Sequence, residues 1–251
     1  MNTRITSRTF LLSALLTTAL STSVQAGLLT NTGFEAGLAG WTTVDQVGSE
    51  GSFLLQTGTQ SPLTMTTVPA PPQGGSAAMT DALGPGSHVL YQDFIVPSLA
   101  PLGIVTFSLF INNGAPDFFT PPHLDFASTD PDPVLRINQQ ARVDFMTSTA
   151  DPFSVAPADV LQTLFLTQPG DPLVSGYRDF SIDITPLLQA RQGQTLRLRF
   201  AEVDNVLNFN LGVDNVDVKI IPEPSTWMMT VGALAGLCLT VRYRQRTDRR
   251  A

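Results

Sequence analysis

The chain has 251 residues, of which 43% are hydrophobic and 14% charged, and a formal net charge of −7. An acidic chain excludes nucleic acid as the natural partner, because contact with phosphates needs Lys and Arg. Its one cysteine, Cys238, excludes an intrachain disulfide framework.

Arg4 and Arg8 form a basic start, Phe10 to Leu20 an apolar stretch, and Val24-Gln25-Ala26 offers small residues for cleavage. This order predicts a secretory signal peptide over residues 1–26, delivered to the Sec machinery. A retained N-terminal helix is the alternative. The following segment, residues 27–221, is long enough for one domain with a real core. It carries 19 acidic and 7 basic side chains, a formal charge of −12, which suits solubility and divalent cations.

Period-two apolar alternation then predicts strands around Phe53-Leu54-Leu55, His88 to Val96, Ile104 to Ile111 and Ala141 to Met146. Tyr177 to Ile184, Thr195 to Val203 and Gly212 to Ile221 read the same way, with Leu196-Arg197-Leu198-Arg199-Phe200 alternating strictly. Val160 to Leu166 fits a strand or a helix. Thr185 to Ala190 predicts one helical turn, with Thr185 as cap and Pro186 at the first helical position. Gly and Pro punctuate the blocks, as in Gly84-Pro85-Gly86 and Asp130-Pro131-Asp132-Pro133. Many short strands separated by turns predict an all-β sandwich. Two irregular stretches, 57–75 and 112–133, are long enough to be binding loops.

Beyond Ile221 the chain changes character. Pro222-Glu223-Pro224 resists helix, and Ser225 to Val241 is an uncharged run of 17 residues. As a helix that run rises about 25 Å, close to the roughly 30 Å hydrocarbon core of a bilayer. Arg242, Arg244, Arg246, Arg249 and Arg250 follow it and set the C-terminus on the cytoplasmic side. A permanent anchor is one reading of such a span. The order of Pro-Glu-Pro motif, apolar span and arginines in residues 222–251 resembles the PEP-CTERM sorting tail of bacterial exosortase substrates. That resemblance implies cleavage near Pro222, Glu223 and Pro224 by an exosortase. It also implies only a transient hold in the inner membrane of a Gram-negative bacterium, followed by the cell surface or extracellular matrix.

Asn31-Thr32-Gly33-Phe34-Glu35, with Gly40-Trp41 behind it, resembles the opening of carbohydrate-binding-module-like, galactose-binding-like jelly rolls. Gly212-Val213-Asp214-Asn215-Val216-Asp217-Val218 is similar to their closing strand, and Leu90 to Phe94 and Asp183 to Phe200 fit the middle. The resemblance implies a jelly-roll β-sandwich over residues 27–221. It also implies a structural calcium held by Glu35 and Asp214, since calcium takes carboxylate and carbonyl oxygens. The alternative leaves Glu35 in a turn and Asp214 in solvent. Trp41 is expected in the core. Tyr91, Phe118 and Phe119 are the candidates for stacking on a sugar, unless the phenylalanines plug the end of the sandwich.

No residue pattern points to catalysis. His88 and His123 have no metal-ligand spacing with each other or with a cysteine, and no nucleophile elbow or phosphate loop is present. Most carboxylates sit in Asp-Pro turns such as Asp151-Pro152. The expectation is an exported, non-catalytic matrix protein associated with extracellular polysaccharide or biofilm. A carbohydrate-binding module with a defined groove and a polysaccharide hydrolase are the alternatives.

Overall fold

The computed structural model describes residues 26–98 and 102–221. The alternating blocks become β1 (Ala26–Gly27), β2 (Thr42–Asp45), β3 (Ser52–Thr57), β4 (Ser76–Asp81), β5 (Gly86–Ile95) and β6 (Leu102–Asn113). They continue as β7 (Gln139–Thr147), β8 (Val160–Leu166), β9 (Arg178–Asp183), β10 (Thr195–Asp204) and β11 (Phe209–Ile221), with one short helix, α1 (Thr185–Ala190). Val160 to Leu166 is thus a strand. The period-two pattern does not mark β1, β2 or β4. The run Ser76-Ala77-Ala78-Met79 of β4 has no apolar alternation, because it is buried on both sides.

The fold is an all-β sandwich of two antiparallel sheets. The first runs β3-β4-β11-β6-β9, with β1 beside β11; the second runs β2-β5-β10-β7-β8. Alternation decides which side chains enter the core. From β10, Leu196, Leu198 and Phe200 point between the sheets, where Val105, Phe107 and Leu109 of β6 meet them. From β11, Leu211 and Val213 enter the same layer, and so do Val216 and Val218. That change of parity needs one extra residue. A bulge between Asp214 and Asp217 supplies it, with Asn215 in the left-handed region at φ 55°.

Two expectations are corrected. Thr185 does not cap α1; its hydroxyl accepts from the Gly103 N–H at 3.0 Å, and the helix has no side-chain cap. Strict alternation also suggested that Arg197 and Arg199 face water on a half-buried strand. Both are buried, because residues 114–138 and 148–159 fold over the outer face of the second sheet. Leu124, Phe126, Phe153 and Val155 pack there on Val89, Ala201 and Val203. Arg199 pins this cover by donating to the Pro152 and Ser154 carbonyls, each at 2.7 Å. Arg197 does the same at Ser148 and Ala150.

Candidate functional site

The N-terminal motif is a folded loop held by Asn31. Its side-chain amide donates to the Gly37 and Ala39 carbonyls, and its Oδ1 accepts from the Ala36 N–H. This loop buries Phe34 against Trp41, with ring centroids 5.3 Å apart, and Trp41 packs in turn on Phe200. Trp41 is a core residue, as expected of so large an aromatic ring. The Val216 N–H donates to the Thr32 carbonyl at 2.9 Å, so the bulge in β11 is tied to the N-terminal loop.

That tie brings Glu35 and Asp214 to one connection, residues 73–76. Glu35 accepts from the Gly75 and Ser76 N–H groups at 2.9 and 3.0 Å, and Asp214 from the Gln73 N–H at 3.1 Å. Asp214 is fully buried. Burial raises its carboxyl to about 6 and the Glu35 charge pushes the same way, against the N–H groups of Asn215 and Gln73. A side chain added at Gly33 would meet the oxygens of Gln73 and Asp214 at 3.3 and 3.8 Å. The two carboxylates thus clasp one connection, each through backbone N–H groups.

The predicted aromatic contacts are placed differently. Phe118 is buried and packs on Phe209 at 5.8 Å, which is the plugging role. Phe119 is half-buried, and its backbone pairs with Gln139. Tyr91 is half-buried on the outer face of the second sheet, with the Arg197 guanidinium 3.8 Å above its ring. Arg197 thus covers one face of the ring. His123 is a loop staple. Its Nε2–H donates to the Leu135 carbonyl at 2.7 Å, and Nδ1 accepts from the Asp125 N–H at 3.2 Å.

A different aromatic hollow, of about 200 Å³, lies between the edge strands β8 and β9. Phe165 and Phe180 reach across it edge to face at 5.4 Å, and Phe118 forms part of its lining. Arg178, Asp171, Thr167 and Ser175 supply polar groups around it. An apolar floor with a rim of donors and acceptors can hold a sugar ring by its carbon face and its hydroxyls together.

The interior holds a further polar group that the sequence spacing did not reveal. Past Phe200, the inward positions of β10 are Glu202 and Asp204; past Leu90, the inward position of β5 is His88. Glu202 stands directly opposite His88 in the ladder. Among the described residues, the donor atoms of His88, Glu202 and Asp204 lie within 4.8 Å of one another, and all three side chains are buried. This group can hold a metal ion. Burial pushes the Glu202 carboxyl well above its ordinary value, and the Asp204 charge adds to that. Burial raises Asp204 to about 7, against the pull of the His88 charge and the Gly86 N–H.

No known protein family matches the chain, and no curated protein does either. Solved structures with a similar fold include TmCBM61 in complex with β-1,4-galactotriose, at 11% identity and a TM-score of 0.44 over 78% of this chain and 99% of that one. A cleaved adhesin domain of Lys-gingipain from Porphyromonas gingivalis matches at 15% identity and 0.44, covering 78% and 99%. A cyclase from Fischerella sp. TAU matches at 17% and 0.45, covering 79% and 98%.

Among the described residues no helix is long and apolar enough to cross a membrane. Pro222, Glu223 and Pro224, the apolar span behind them and the signal peptide as far as residue 25 lie outside the described residues.

Proposed function

We propose that this protein is exported, released from a transient inner-membrane hold by exosortase cleavage near Pro222-Glu223-Pro224, and acts as a non-catalytic matrix protein in contact with extracellular polysaccharide. The jelly-roll reading of residues 27–221 belongs to the same proposal. The hollow between β8 and β9 carries it, because the partly exposed Phe165 and Phe180 there stand beside Arg178 and Asp171. On the outer face of the second sheet, loops cover Val89, Ala201 and Val203. Glycan-array binding by the purified protein tests the reading. Phe180→Ala and Arg178→Ala are each expected to weaken the bound glycan about tenfold, or about 1.4 kcal/mol. Binding that is unchanged in both variants would refute the assignment of the hollow.

Calcium at Glu35 and Asp214 is proposed as structural support for this module. A cation there neutralises two carboxylates that now depend on backbone N–H groups alone. With free calcium at a hundredfold over its dissociation constant, stability rises by about 2.7 kcal/mol. For a domain of this size that raises the melting temperature by roughly 5–11 °C. Asp214→Asn is expected to abolish the shift. Identical melting in calcium and in chelator would show that the pair is only a loop clasp.

A further inference from the structure

The His88 group presents a pattern that its role in the fold does not explain. His88 Nδ1 lies 2.7 Å from Asp45 Oδ1. An ionised carboxylate only accepts, so Nδ1 donates to Asp45, which leaves Nε2 as the ring nitrogen open to another partner. That Nε2 is buried and has no hydrogen-bond partner, and neither has Glu202 Oε1. Both are completely or almost completely enclosed, at 0% and 1% exposure. Buried polar atoms are nearly always partnered, so two orphans pointing into one group mark an absent partner.

Gly86 gives an independent sign. Its backbone is not left-handed, so no turn demands glycine there. A Cβ at that position would lie 2.3 Å from His88 Nε2 and 3.2 Å from the Glu50 carbonyl oxygen. Any larger residue at position 86 would press on Nε2 itself. A hollow of about 260 Å³, lined by residues 82–85 and 204–208, reaches Asp204 of this group.

We propose that His88 Nε2, Glu202 and Asp204 bind one divalent transition cation of the zinc type, with Asp45 as the positioning residue that fixes the imidazole. One ion would satisfy both orphaned atoms and neutralise two buried carboxylates. The imidazole decides the class of metal: nitrogen donors favour zinc-like ions, whereas calcium and magnesium prefer oxygen alone. Donor atoms around one such ion stand roughly 3–4 Å apart, so the three side chains need only a small closure. A carboxylate behind a ligating histidine is the usual outer partner. This site is separate from the Glu35 and Asp214 pair and does not depend on the function proposed above.

The test is a cobalt titration of the full chain after treatment with chelator. Co²⁺ is expected to bind at one equivalent with visible d–d absorption, to be displaced by Zn²⁺, and to persist in excess Ca²⁺. His88→Gln is expected to remove the signal while the far-ultraviolet dichroism stays native. Asp45→Asn is expected to weaken binding by about 10–100-fold. Asp214→Asn is expected to leave it unchanged. Failure of the folded chain to bind Co²⁺, or displacement by Ca²⁺, would overturn the site. If His88→Gln does not fold, Asp45→Asn decides alone, since the Asp45 side chain is 34% exposed and tolerates the change. Unaltered Co²⁺ affinity in that variant would overturn the proposal too.

Discussion

Asp144→Asn is expected to lower the stability of the domain by about 3–5 kcal/mol, the cost of leaving a buried charge without its partner. Asp144 is fully buried and its carboxylate is shared by two arginines. Arg142 donates to both oxygens at 2.7 and 2.8 Å, Arg199 donates at 2.5 Å, and the Thr163 hydroxyl at 2.8 Å. Arg199 is equally buried and in turn holds the loop at 152–154. Asparagine keeps the shape and removes the charge, so two cations remain in the sheet with nothing to neutralise them. In a chain of this size the melting temperature falls by about 6–20 °C. Urea unfolding measures the loss, and a change below about 1 kcal/mol would mean that water or a shifted side chain already solvates the arginines. Replacing all three residues with apolar ones of similar volume is expected to cost less than the single change.

The same carboxylate sets an acid limit. Burial alone would raise it, but the Arg142 hydrogen bond and the charges of Arg199 and Arg142 outweigh burial and hold it below its ordinary value. The stability it contributes is complete above the unfolded value of about 3.9. It is lost as pH falls through the depressed folded value. Stability should therefore decline below about pH 4, with a shallower decline in Asp144→Asn.

Much of this was legible in the sequence where the causes are local. Trp41 is in the core as its size implied, while the loop closed by Asn31 around Phe34 shows only in the structure. The strands of β5, β6, β10 and β11 follow from alternation. Local alternation, however, reports which residues share a face and never what covers that face. Arg197 and Arg199 have the parity of solvent-facing residues and are buried by loops from elsewhere in the chain. The surroundings of Phe118 and Tyr91 were illegible for the same reason: one ring is enclosed against Phe209 and the other lies under Arg197. The interior group of His88, Glu202 and Asp204 has a local signal in part. Leu196, Leu198 and Phe200 define the inward parity of β10, and Glu202 and Asp204 continue it. A polar residue on a core parity needs an explanation. Its meeting with His88 depends on the β5–β10 register, which no local pattern supplies.

Phe200→Ala is expected to cost about 3–5 kcal/mol, the usual range for deleting a buried aromatic ring. Phe200 links the two ends of an aromatic chain through the sandwich. Trp41 lies 6.0 Å away on one side, and Phe107 meets it edge-on at 5.8 Å on the other. Phe107 then stacks on Phe180 at 4.9 Å, so the chain runs from the N-terminal loop to the proposed glycan hollow. Removing the middle ring leaves a cavity between sheets whose backbones are fixed by their ladders, so little collapse can relieve it. Neighbours that share this cavity should not behave independently. Trp41→Ala and Phe200→Ala together are expected to fall short of the sum of their separate losses by about 0.5–3 kcal/mol. Phe209 packs on Phe118 as a separate pair. Phe209→Ala combined with Trp41→Ala should therefore add to within about 0.5 kcal/mol. Strict additivity in the Trp41 and Phe200 cycle would show that the rings touch without sharing load, and that the N-terminal loop is anchored by Asn31 rather than by its aromatic contacts.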